Sequence, residues 1–421
     1  MKRSRYRRTA FFCAFALMFT IFMGAAKTAY GMDRTAAGPY HPDTRVQTDE
    51  MKGVWISYLI WNQLPKEKTA FQKAVDEMFD NCSSWGMNAV FVHVRSHGDA
   101  MYPSSVFPWS KFAGKRQGKS PGYDPLAYMI ESAHARGLKF HAWINPYRVT
   151  GYLMPWEEVS ADSPAKRWLT DTETFNDRYV LKHDNAYYYN PSVEEVKRLV
   201  VNGVLEIVKN YEIDGIHFDD YFYPEINDEL EEYWFDRPEY LASGSKETIV
   251  QWRRNHVSDL VSRVYQTVKA EKPQVLFGIS PQGYVEHLRS ETGLFVDIDR
   301  WMSQAGYVDY IMPQLYWGFE TKTAAGEPAP YAYEQNLATW LNLKKKGPVT
   351  LYLGLGLFRA GTDVKDYNEV SEWLRRDDVI GRQVSVGRQK GEVKGYCFYS
   401  YDSFLQPEAQ KEVANLLPLL K

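Results

Sequence analysis

The chain has 421 residues, a net charge of −3 and 15% aromatic residues, among them thirteen Trp and thirty Tyr. That length and apolar content exclude intrinsic disorder and allow a large core. The near-neutral balance excludes the broad basic surface of a nucleic-acid binder, so no nucleic-acid partner is expected.

At the N-terminus, Lys2, Arg3, Arg5, Arg7 and Arg8 precede an apolar run over 11–23 of secretory length. Small residues follow near Gly24-Ala25-Ala26 and Ala29-Tyr30-Gly31. The pattern predicts a signal peptide over 1–31 and export to the periplasm, cell envelope or exterior. Left uncleaved, the same segment would be a membrane anchor. Residues 32–50 are polar, with Gly38-Pro39 and His41-Pro42, and read as a linker to a domain over 51–421. Cys82 and Cys397, the cysteines outside the signal, sit in apolar contexts and are expected to be buried free thiols.

From residue 52 onward, strand-like runs alternate with helical patterns. The strands fall at 53–57, 89–95 and 139–145, at the start of 214–224, and at 275–280, 310–316, 350–355 and 395–400. The helical patterns cover roughly 68–85, 124–136, 193–211, 247–271, 297–305, 331–345, 366–389 and 406–420. This alternation predicts a (β/α)8 TIM barrel with extended βα loops. A doubly wound sheet would more often place a Gly-rich phosphate loop after its first strand, and Gly53-Val54-Trp55-Ile56-Ser57-Tyr58 has none. The long stretches 96–122 and 146–191 are assigned to walls of a substrate cleft.

Barrel sites lie where strands end at the C-terminal face, and alternation along a strand separates axis-facing from helix-facing residues. The predicted axis-facing set is His93, Arg95, His141, Trp143, Asn145, His217, Asp219, Gln314 and Tyr316. The histidines lie deeper in their strands and read first as satisfied interior residues. Asp219 ends its strand with Asp220 beside it, in Asp214-Gly215-Ile216-His217-Phe218-Asp219-Asp220-Tyr221-Phe222-Tyr223-Pro224. Paired acids resist burial unless something offsets their desolvation, and aromatics beside acids suit a sugar substrate. Asp220 can join Asp219 only if the backbone turns between them.

Several segments together resemble the family-10-like glycosyl hydrolases, a bacterial group of exported (β/α)8-barrel proteins. They are Lys52-Gly53-Val54-Trp55, Gly86-Met87-Asn88-Ala89-Val90-Phe91-Val92-His93-Val94-Arg95 and His141-Ala142-Trp143-Ile144-Asn145-Pro146-Tyr147-Arg148. The fourth-strand motif, Phe277-Gly278-Ile279-Ser280-Pro281 and Tyr310-Ile311-Met312-Pro313-Gln314-Leu315-Tyr316-Trp317 complete the set. The resemblance covers roughly residues 50 to 420. It implies hydrolysis of a glycosidic bond in a polysaccharide, with peptidoglycan glycan strands stripped of stem peptides the nearest substrate.

Glycosidases usually flank the scissile bond with two carboxyl groups. Asp219 is expected as the principal acid and Asp220 as its partner, with Glu320 in reserve and Asp402 behind it. Adjacent acids at the end of a fourth strand also resemble barrel glycosidases with substrate assistance. There one acid orients the 2-acetamido group and the other protonates the leaving oxygen, and Tyr316 is expected to bond the acetamido oxygen. Arg95 and Asn145 are assigned to sugar hydroxyls or to holding the acids, and Gln314 to the cleft. Trp143, Tyr147, Tyr221, Tyr223 and Trp317 are candidate stacking platforms. Two competitors are a non-catalytic glycan-binding barrel and a metal-dependent hydrolase or deacetylase using His217, Asp219 and Asp220, with His93 as a further ligand. No His-x-x-x-His or comparable set completes a metal shell, so neither metal nor cofactor is expected.

Overall fold

The computed structural model describes residues 50–421 apart from 227–230, 232–234, 345 and 346. The predicted signal and all of the linker but its last residue lie outside that range. That last residue, Glu50, is buried and pairs with Arg388 at 2.6 Å.

The expected barrel is present. Its strands are β1 (Met51–Ile56), β2 (Ala89–Arg95), β3 (Lys139–Ile144), β4 (Gly215–Phe218) and β5 (Leu276–Ile279). They continue with β6 in two pieces (Tyr310–Ile311 and Gln314–Leu315), β7 (Thr350–Leu355) and β8 (Val393–Phe398). All pairings among them are parallel, and β8 closes onto β1 with Met51 opposite Gly395. The sixth strand breaks at Pro313, which has no N–H to give the ladder, while its carbonyl still accepts from Gly354 N–H at 2.9 Å.

Around the barrel run α1 (Lys68–Ser84), α2 (Pro125–His134), α3 (Glu194–Asn210), α4 (Ile249–Glu271), α5 (Ile298–Ser303), α6 (Tyr333–Lys344), α7 (Val379–Lys390) and α8 (Gln410–Leu420). Helical spacing explains their docking: α1 buries Phe71, Val75, Met78, Phe79 and Cys82 on one face. The continuous helix expected over 366–389 does not form. The Asp366 carboxylate instead accepts Ser371 Oγ–H and Glu372 N–H, and only Glu372–Arg375 is helical before α7. The start of α7 is fixed from outside, since Glu412 on α8 accepts the N–H groups of Val379, Ile380 and Gly381. The stretch after β3 also contains a helix, Pro164–Thr170, and a hairpin of Val180–His183 with Ala186–Tyr189.

Strand parity is as expected along most of the barrel. Val90, Val92, Phe140, Ala142, Ile144, Ile216 and Phe218 pack toward the helices. Phe91, Trp143, Tyr310 and Met312 pack in the interior, where Phe91 stacks on His141 at 4.4 Å. Large rings fit because glycines face them. A Cβ on Gly215 would stand 2.2 Å from His141, and one on Gly278 would stand 2.2 Å from the Tyr310 ring. Cys82 and Cys397 are buried free thiols, as expected.

Candidate active site

The deeper part of the barrel interior holds a chain of hydrogen bonds. Trp55 Nε1–H donates to His217 Nε2 at 3.2 Å, which leaves the His217 proton on Nδ1, facing Tyr310 Oη at 3.0 Å. Tyr310 Oη lies 3.2 Å from His141 Nδ1 and donates to it. Burial pushes the pKa of His141 down to about 4 and that of His217 well below the ordinary range. These histidines are neutral structural groups. His217 has both nitrogens engaged and offers no lone pair to the cleft.

Above this chain, at the ends of β3 and β4, stands Asp219. It is buried, and its Oδ2 accepts Trp143 Nε1–H at 3.0 Å. Its Oδ1 accepts Asn145 Nδ2–H at 3.1 Å and Tyr221 N–H at 3.3 Å. His93 Nδ1 accepts Tyr58 N–H at 3.2 Å, so its neutral ring carries the proton on Nε2, 3.7 Å from Asp219 Oδ2. The His93 ring lies flat on Trp143, with centroids 3.4 Å apart. Asp219 is therefore hydrogen-bonded by Trp143 of β3, by Asn145 just beyond it and by its own loop, with His93 of β2 nearby.

The backbone does turn after Asp219. Tyr221 N–H returns to the Asp219 side chain, and Phe222 N–H bonds to the Asp220 carbonyl at 3.1 Å. The turn buries Asp220 in the interior near Gln314. Burial first, and the Asp219 charge second, push the Asp220 carboxyl up to about 7, with Gln314 pulling the other way. Near neutral pH this side chain is a proton donor. Two adjacent acids thus have different jobs available: one a fixed acceptor, the other a reservoir of one proton.

The same turn logic corrects other expectations. Asn145 Oδ1 accepts the N–H groups of Tyr147 and Arg148 at 3.3 and 2.9 Å, which ends the alternation of β3. Tyr147 consequently turns away and is fully buried, 6.4 Å from the Phe222 ring, and Arg148 turns toward the cleft. Tyr223 is likewise buried among Phe235 and Phe295. Neither tyrosine is free to stack on a sugar. Trp143 is not a platform either, since it is 7% exposed, covered on one face by His93, and used as a donor.

A β-bulge between His93 and Arg95 puts Arg95 opposite Ile144 and so on the helix-facing side. The Arg95 guanidinium lies 4.5 Å over the Phe107 ring, 1% exposed, rather than in the cleft. Glu320 is exposed at the rim and its carboxylate pairs with Arg375. Asp402 accepts from Ser400 Oγ–H at the start of a 3-10 turn. Trp317 remains half-buried at the rim, 5.4 Å from the Tyr331 ring.

Three cleft residues were not singled out by parity: Arg148, Tyr58 and Tyr399. Arg148 could have been found by treating Asn145-Pro146 as a turn that reverses the alternation. Tyr399 follows Cys397 by two positions at the end of β8 and lies 6.1 Å from Tyr316. Among the described residues, no group of three or more His, Cys, Asp and Glu is arranged to hold a metal ion.

Comparison with known proteins bears on the family and the fold. The model of the family described as Glycosyl hydrolase-like 10 matches residues 50–371. The chain is 35% identical to glycosyl hydrolase YngK of Bacillus subtilis over 370 residues, which is 83% of this chain and 68% of that protein. It is 30% identical to glycosyl hydrolase DigH of Escherichia coli K12 over 99% of this chain and 97% of that protein. The glycoside hydrolase domain of PgaB from Bordetella bronchiseptica shares the fold, with a TM-score of 0.57 at 12% identity. That match covers 87% of this chain and 99% of the domain.

Proposed function

Given that the chain belongs to the glycosyl hydrolase-like 10 family, we propose that it is an exported glycosidase cleaving N-acetylated peptidoglycan strands that lack stem peptides. Family membership and the barrel support the glycosidase role. The basic start and apolar run at 2–23 support export. The observation that carries the chemistry is the unequal treatment of two neighbouring acids. Asp219 is fixed by Trp143, Asn145 and Tyr221 N–H. The Asp220 carboxyl is pushed up to about 7 by burial and the Asp219 charge, so that up to near-neutral pH it keeps a proton to give.

Substrate assistance fits that pair. Asp220 gives its proton to the glycosidic oxygen as the C1–O bond breaks. The 2-acetamido carbonyl oxygen forms the new bond to C1, and Asp219 accepts the hydrogen of the acetamido N–H. Water then adds at C1, its proton returning to Asp220, and the acetamido group is restored. Tyr316, whose ring lies 6.1 Å from that of Tyr399, is assigned to bond the acetamido oxygen. Trp143, Asn145 and His93 are positioning residues that act through Asp219.

Mass spectrometry of products from intact, denuded and de-N-acetylated strands tests the reading. Cleavage is expected of denuded N-acetylated strands, with little of the other two. Binding of wall glycan without new reducing ends would instead favour a binding barrel.

A further inference from the structure

The geometry points to Arg148 as the group that reads a carboxylate on the sugar, so that the cleft selects an acidic N-acetylated glycan over a neutral one. The inference rests on the glycosidase reading of the cleft and adds a substrate class to it.

Arg148 is held in place but not ion-paired. Its backbone N–H is tied to Asn145 Oδ1, and its Nε–H donates to Ser96 O at 3.0 Å. Its guanidinium lies between two rings, 5.5 Å from the Tyr58 centroid and 5.2 Å from that of Tyr221. Among the described residues no carboxylate forms an ion pair with it, and its two terminal nitrogens meet no protein acceptor. Three other arginines, by contrast, are paired: Arg253 with Asp236, Arg388 with Glu50, Arg375 with Glu320. Asp219 is the nearby acid and its charge acts on Arg148, but its hydrogen bonds run to Trp143, Asn145 and Tyr221 N–H rather than to the guanidinium. Tyr221, one wall of the sandwich, is 41% exposed, so the guanidinium borders open cleft.

A planar cation fixed through Nε, with both terminal nitrogens unused, matches a carboxylate in a bidentate pair. Two sugar carboxylates have this chemistry. One is the lactyl ether of a muramic sugar, which is a free anion only after its peptide amide has been removed. The other is C6 of a hexuronate. Recognition of the first would make the absence of a stem peptide a positive signal as well as a matter of space.

The test compares kcat/KM of wild type, Arg148→Gln and Arg148→Lys on a denuded muramyl oligomer and on its methyl ester. A second pair, an N-acetylglucosamine–uronate oligomer and its ester, separates the two sources. Wild type is expected to prefer an acid to its ester by about 10–100-fold, the range of a charge-assisted bidentate pair. Arg148→Gln brings that ratio to about one, and Arg148→Lys restores part of it. A wild-type ratio near one, or an equal loss by Arg148→Gln on acid and ester, overturns the assignment. If wild type cleaves none of the glycans, the glycosidase reading fails by itself. Calorimetric binding of the acid and ester oligomers then decides the Arg148 claim, which equal affinities would overturn.

Discussion

The floor and the mouth of the barrel interior are both buried and polar, yet their chemistry is opposite. On the floor, the Trp55–His217–Tyr310–His141 chain pairs donor with acceptor. At the mouth, burial and the Asp219 charge favour a proton on Asp220, and Arg148 carries a charge that no described carboxylate meets in an ion pair. A satisfied network rigidifies a core, whereas an unsatisfied group is ready to act on a ligand. His141 and His217, which resemble catalytic groups by residue type, are therefore scaffold. The reactive capacity lies in the acids one layer above.

The largest expected effect tests the mouth directly. Asp220→Asn removes the proton donor and should lower kcat/KM by about 10²–10⁴-fold, with a circular dichroism spectrum like that of wild type. Asp219→Asn should be comparably inactive. Near-normal turnover by either on a glycan that wild type cleaves would move the chemistry to other residues. A pH profile sharpens the point: because the Asp220 carboxyl is pushed up to about 7, kcat should fall as pH rises above that value. The shift also makes folding stability decline from about pH 4 through 7, because the native state keeps a proton that the unfolded state has released. Asp220→Asn cannot ionise, so urea melts of this variant should lack that part of the slope.

A smaller effect is expected from the support under Asp219. Trp143→Phe keeps the ring against His93 but deletes the N–H that reaches Asp219 Oδ2 at 3.0 Å. Loss of one oriented donor should lower kcat by roughly tenfold with little change in KM, because Trp143 does not touch the sugar. A rise in KM without a fall in kcat would return Trp143 to the role of a stacking platform.

The barrel was legible because alternation of strand and helix is written in local hydrophobic pattern, and so was the burial side of most strand residues. Asp219 was legible for the same reason, as an acid at the end of an apolar strand. The errors cluster where the chain leaves a strand. Tyr147 and Tyr223 were expected in the cleft, but side-chain or carbonyl caps at Asn145 and Asp220 reversed the alternation within two residues. Arg95 was misplaced by a bulge that no periodicity records. The break in the helix expected over 366–389 depends partly on Glu412, distant in sequence, capping α7. Each miss involves one hydrogen bond or one ladder slip, below the resolution of a pattern count.

The smallest expected effect on activity tests the floor, and it can break the contrast altogether. Tyr310→Phe keeps the ring that fills the space beside Gly278 and removes only the hydroxyl. The His217 Nδ1–H then loses its acceptor at 3.0 Å, and His141 Nδ1 loses its donor at 3.2 Å. Two buried polar groups left without partners should cost about 1–3 kcal/mol each at most, less if water enters, read as a lower urea midpoint with an unchanged m-value. Asp219 receives its hydrogen bonds from Trp143, Asn145 and its own loop, none of which is bonded to Tyr310. The kcat of Tyr310→Phe should accordingly remain within about twofold of wild type, a change below 0.5 kcal/mol by transition-state arithmetic. A tenfold loss of kcat would mean that the floor sets the protonation or position of the acids above it, and the division between scaffold and chemistry would have to be redrawn at His217.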